Sequence, residues 1–100
     1  MLDIQLIKEE LAKEFPEYTF FIARRLPGKC IVAKHTKYNG ADVFIKKEKI
    51  IVEAAIPEWK TRFALGAGAL YKKMNDPDFS KPALRITRFL ETRYKVVLRN

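Results

Sequence analysis

Cysteine and histidine are nearly absent: the 100-residue chain holds one of each, Cys30 and His35. An internal disulfide is excluded, and a zinc cage of the usual four Cys/His ligands cannot be assembled. Long hydrophobic runs are missing too. The longest apolar stretch, residues 63–71, is nine residues long, whereas a bilayer span needs roughly 20. The N-terminus has no basic leader followed by an apolar run, because Lys8-Glu9-Glu10 falls where that run would lie. The expectation is a cytoplasmic protein with no membrane partner. Phosphate-binding signatures are also lacking. Gly66-Ala67-Gly68 has no third glycine and sits among helical residues, and neither a Gly-x-x-x-x-Gly-Lys-Ser/Thr loop nor an RNP-type pattern occurs. Asp76 and Asp78 flank Pro77 without further ligands in view, so they read as loop and capping residues, and neither metal nor cofactor is expected.

What is present is a foldable, basic chain. At 48% hydrophobic and 32% charged residues it is too apolar to stay disordered and too charged to sit within a bilayer. One domain, 1–100, fits the length. The net charge of +8 is unevenly spread: residues 1–17 hold five acids against two lysines, and residues 18–100 carry +11. An anionic partner therefore belongs to the part of the chain after the first segment.

Ile4, Ile7, Leu11 and Phe15 recur at helical spacing, Asp3 stands where an N-cap is needed, and Pro16 ends the helix. The next forty residues read as four strands: 18–25, 30–35, 41–46 and 50–56. Pro27-Gly28 suits a type II turn, Asn39-Gly40 a type I′ hairpin, and Lys47-Glu48-Lys49 a polar break. Pro57-Glu58 opens a second helix over 57–74, and Ser80 caps a third. Residues 95–99 read equally as a continuation of that helix or as a short edge strand. The predicted fold is α+β in two layers: a four-stranded antiparallel meander with helices packed on one face, in the order α-β-β-β-β-α-α. The alternation in the third and fourth strands predicts one apolar sheet face and one at least partly wet face.

Basic residues carry the leading functional reading. Arg24, Arg25, Lys29, Lys34 and Lys37 are interrupted by no acid, and Lys46, Lys47 and Lys49 surround one hairpin tip. If the last helix runs to its end, Arg85, Arg88, Thr92, Lys95 and Arg99 share one stripe. Such densities neutralise phosphates and confer salt-sensitive, sequence-independent affinity. The chain thus reads as a small, basic, non-enzymatic binding module for nucleic acid or another polyanion, through Arg24, Arg25, Lys34, Arg85, Arg88 and Lys95. Two alternatives rest on helix 57–74. Ala64, Ala67 and Gly68 would let a second copy or a partner subunit approach closely, and Trp59, Phe63 and Tyr71 would line a small-molecule pocket between sheet and helices. No catalytic residue is assigned. The acid–base pairing the spacing offers, His35 with Asp42 across the predicted hairpin, reads as structural.

Overall fold

The computed structural model describes residues 2–25, 28–36, 39–57 and 77–99. Helix α1 (Ile4–Glu14) is followed by strands β1 (Thr19–Arg24), β2 (Lys29–Lys34), β3 (Gly40–Ile45) and β4 (Ile50–Ala55). A 3-10 turn (Pro77–Phe79) then leads into helix α2 (Lys81–Leu90) and strand β5 (Val96–Arg99). The helix expected over 57–74, with Trp59, Phe63, Ala64, Ala67, Gly68 and Tyr71, lies outside the described residues. No described helix is long and apolar enough to cross a membrane.

Helix α1 begins where Asp3 predicts. Its Oδ1 accepts from the Gln5 amide at 2.9 Å and the Leu6 amide at 3.4 Å, occupying donors that the first turn cannot satisfy internally. The helix stops at Glu14, with Phe15 as C-cap ahead of Pro16.

The sheet has five strands in the order β1-β2-β3-β4-β5. The first four form the antiparallel meander the turn signals imply. The fifth corrects the four-stranded expectation: β5 runs parallel to β4, pairing Ile50 with Val96 and Val52 with Leu98. The sheet is therefore mixed. A parallel neighbour needs a long crossover, which the chain between residues 55 and 96, containing α2, supplies. Helix α2 ends at Leu90, so the stripe from Arg85 to Arg99 does not form on one helix.

Both described helices cover the same sheet face. Ile7 and Leu11 of α1 and Ala83, Ile86 and Leu90 of α2 pack with Ile31, Ala33, Ala41, Val43, Ile50 and Val52. The opposite face corrects a second expectation. Cys30, Val32, Phe44 and Ile51 form a further buried cluster there, so the sheet centre is buried on both sides. The reason is legible in β2, where Cys30-Ile31-Val32-Ala33 is a continuous apolar run rather than an alternation.

The two helical segments are clasped at the surface. Tyr94 donates its hydroxyl to Glu10 Oε1 at 2.7 Å, and Arg93 ion-pairs with Glu10 Oε2. The bond to Glu10, then partial burial, raises the Tyr94 phenol above its ordinary value. Tyr94→Phe is expected to lose about 1 kcal/mol at neutral pH. A phenol whose folded pKa is raised contributes stability below the unfolded value, about 10, and loses it as pH climbs through the folded one. Urea unfolding as a function of pH should therefore show the gap between wild type and Tyr94→Phe constant near neutrality and closing in strong alkali.

Candidate anion-binding site

The pairing register gathers cations at one end of the sheet. Arg24 pairs with Lys29, Cys30 with Phe44, Ile45 with Ile50 and Ile50 with Val96. The ends of β1 and β3 and the starts of β2, β4 and β5 thus lie side by side. The β3–β4 turn is closed by the Lys46 amide donating to the Lys49 carbonyl at 2.9 Å. The Ile50 amide donates to the Lys95 carbonyl at 2.8 Å, which sets Lys95 beside that turn. Lys46, Lys47, Glu48, Lys49 and Lys95 line an open depression of about 470 Å³. Lys46 Nζ lies 5.9 Å from the Phe44 ring centroid, a cation–π contact at the rim. Arg24 and Lys29 extend the row toward β1, and all six cations are exposed. At about 4.8 Å between neighbouring strands, five strands give a row of about 19 Å. The β3–β4 turn contributes one acid, Glu48.

The six residues singled out from the sequence are distributed differently. Lys95 lines the depression and Arg24 stands in the same row. Arg25 begins at this end but reaches across the second sheet face. Its Nε is 3.4 Å from Asp42 Oδ2 and its Nη2 donates to the Pro57 carbonyl at 2.7 Å. Lys34 lies at the opposite sheet end, paired in register with Thr19 and Gly40. Arg85 projects from α2 toward the segment before β1. It ion-pairs with Glu17 at 2.9 Å, donates to the Tyr18 hydroxyl at 3.0 Å and lies over the Phe15 and Tyr18 rings. The Tyr18 hydrogen bond, aided by Glu17, raises the Arg85 pKa. Its guanidinium is thereby engaged in holding α2 against the base of β1. Arg88 is exposed in the last turn of α2.

His35 and Asp42 are not brought together. The His35 amide donates to the Asn39 carbonyl at 3.0 Å, Asp42 pairs in register with Val32, and its carboxylate faces Arg25. The His35 ring packs edge-on against Tyr18, 5.1 Å between centroids. The cause is the register: Lys34 opposes Gly40, so Asn39-Gly40 is not the two-residue tip its composition suggests. Gly40 is instead the first residue of β3.

Lys46, Lys47 and Lys49 stood out in the sequence only as a hairpin tip. The missing step was β5, since a parallel strand is what places Lys95 against them. The alternation Val96-Val97-Leu98-Arg99, with the first and third more buried than the second and fourth, is the trace of that strand in the sequence. No protein family, curated protein or solved structure matches this chain.

Proposed function

We propose that the protein is a small, non-enzymatic binding module for polyanions, nucleic acid first among them, and that it binds through the basic end of its sheet. The observation that carries this reading is the convergence of Lys46, Lys47, Lys49 and Lys95 on one open depression with Glu48 as its single acid, flanked by exposed Arg24 and Lys29. Ammonium groups on flexible stems act as point charges toward phosphates and lack the fixed fork that reads a base edge. The interaction is accordingly sequence-tolerant and driven by counterion release. A cytoplasmic setting belongs to the same reading.

The test separates a site from mere net charge. Two variants of equal charge are compared on a mixed-sequence oligonucleotide: Lys47→Glu/Lys49→Glu/Lys95→Glu and Lys13→Glu/Lys81→Glu/Arg88→Glu. The first set is expected to weaken binding at low salt by at least about 100-fold, and to flatten the slope of log K against log salt by about 2–3. The second should change affinity far less. Equal losses from both sets would replace the site with a diffuse field, and wild-type affinity indifferent to salt would remove the polyanion reading.

A further inference from the structure

The basic row at the sheet end meets an acid where it reaches β5. Arg93 stands two residues before Lys95, a separation of at most about 7 Å along the chain, yet its guanidinium is already engaged. It ion-pairs with Glu10 Oε2 and lies 5.5 Å from the Phe89 ring centroid. The other carboxylate oxygen, Oε1, accepts from the Tyr94 hydroxyl at 2.7 Å. Both oxygens of Glu10 are thus held by consecutive residues just ahead of β5. The two partners differ in exposure: the Glu10 side chain is 16% exposed and the Arg93 side chain 55%. The acid is fixed between α1 and the chain entering β5, while the cation faces solvent beside Lys95. Among the described residues, by contrast, no acid pairs with Arg24, Lys29, Lys46, Lys47, Lys49 or Lys95.

We propose that Glu10 is an internal competitor for phosphate, which withholds Arg93 from the anion-binding site and so ends that site at β5. The inference rests on the polyanion reading and names a contact that limits it. A carboxylate against a guanidinium cancels most of its field beyond the pair. While the pair is intact, Arg93 neutralises no phosphate and releases no counterion. The pair also resists exchange. A phosphate that drew Arg93 away would leave a mostly buried carboxylate on the Tyr94 hydroxyl alone, and a buried acceptor stripped of a charged donor is costly. Glu10 belongs to the segment 1–17, which holds five acids against two lysines. The fold therefore sets the acidic start of the chain against one end of its basic row, and a polyanion crossing from β1 to β5 gains no further cation past Lys95.

Titration of the intact chain with a mixed-sequence oligonucleotide tests this. Glu10→Gln removes the charge and keeps an acceptor for Tyr94. One released cation adds about one phosphate contact, so affinity near 50 mM salt should rise about 10-fold and the slope of log K against log salt should steepen by about 0.7–0.9. Glu14→Gln makes the same charge change one turn along α1 and should alter affinity by less than about 2-fold, the screened effect of a distant charge. Arg93→Gln should cost less than about 3-fold in the wild-type background and about 10-fold beside Glu10→Gln, a coupling that independent charges would not show. Should Glu10→Gln disturb folding, as read by circular dichroism, Arg24→Gln provides a comparison in the wild-type background: it removes an unpaired cation of the row and should cost about 10-fold. Tyr94→Phe weakens the clasp without removing the ion pair, so it should leave affinity unchanged and separate binding from stability. Glu10→Gln binding no tighter than Glu14→Gln, or Arg93→Gln costing as much as Arg24→Gln, overturns the proposal and leaves salt-dependent binding by the wild type, and with it the polyanion reading, in place. A wild type that does not bind removes both.

Discussion

Gly40→Ala is expected to lose at least about 3 kcal/mol of folding stability, a magnitude reserved for overpacked or strained core positions. A Cβ on Gly40 would meet the Ala33 carbonyl oxygen at 2.2 Å and Pro57 Cγ at 2.6 Å. The backbone of Gly40 is not left-handed, so the requirement is for space and not for conformational freedom. Neither neighbour yields cheaply. The Ala33 carbonyl belongs to the β2–β3 ladder, where Ala33 pairs with Ala41, and Ala33 is fully buried. Pro57 is also fully buried, and its carbonyl is held by Arg25. Urea unfolding should show a midpoint lowered by at least about 1 M, taking a slope of 1–3 kcal/mol/M for a domain of this size. A loss below about 1 kcal/mol would mean that the chain around Pro57 can move off β3 freely.

That contact also explains one part of the fold that was not legible in the sequence. Asn39-Gly40 is the composition of a tight hairpin turn, and turn chemistry alone places both residues at the tip. The register is decided instead by packing. Gly40 is the residue that admits the Ala33 carbonyl and Pro57 together, contacts 7 and 17 positions away in the chain. Local features did transmit. Asp3 and Pro16 mark the ends of α1 because capping and the lost amide of proline act within a turn. The alternation in β3 and β4 identified the face that α1 and α2 cover. Strand β5 was left open because five residues with mixed polarity satisfy either period, and only the available edge of β4 decides between them.

The candidate site followed the same division. Charge density was visible residue by residue, but which cations converge depends on register and on which are already engaged. Arg85 and Arg25 carry as much charge as any lysine, yet each is committed to an acid of the fold, Glu17 and Asp42. The lysines of the β3–β4 turn project from the sheet end beside Lys95. A polar break between two strands is read most simply as a place where nothing packs. Beside a parallel fifth strand it becomes the concave end of the sheet.

Asp42→Ala is expected to lose about 3 kcal/mol, the second large effect. Asp42 lies within the second sheet face with its side chain 6% exposed, and the Arg25 side chain it faces is 14% exposed. Two opposing consequences must be weighed. Asp42 stands directly across from Glu53, and like charges in that position repel by up to about 1 kcal/mol. Removing Asp42 relieves that repulsion, which is already blunted because Glu53 pairs with Arg99 at 3.2 Å. Against this, the Arg25 guanidinium loses its carboxylate while the Pro57 carbonyl holds it in place. Stranding one partner of a buried pair typically costs about 3–5 kcal/mol, so the loss should outweigh the relief. The double variant Arg25→Met/Asp42→Leu removes both charges together and should recover most of that stability, since a buried pair and an apolar pair of similar volume are often close in energy. Urea unfolding of the two single variants and the double closes the cycle. Additive losses, with the double variant least stable of all, would show that the two side chains stabilise the fold separately and not as a pair.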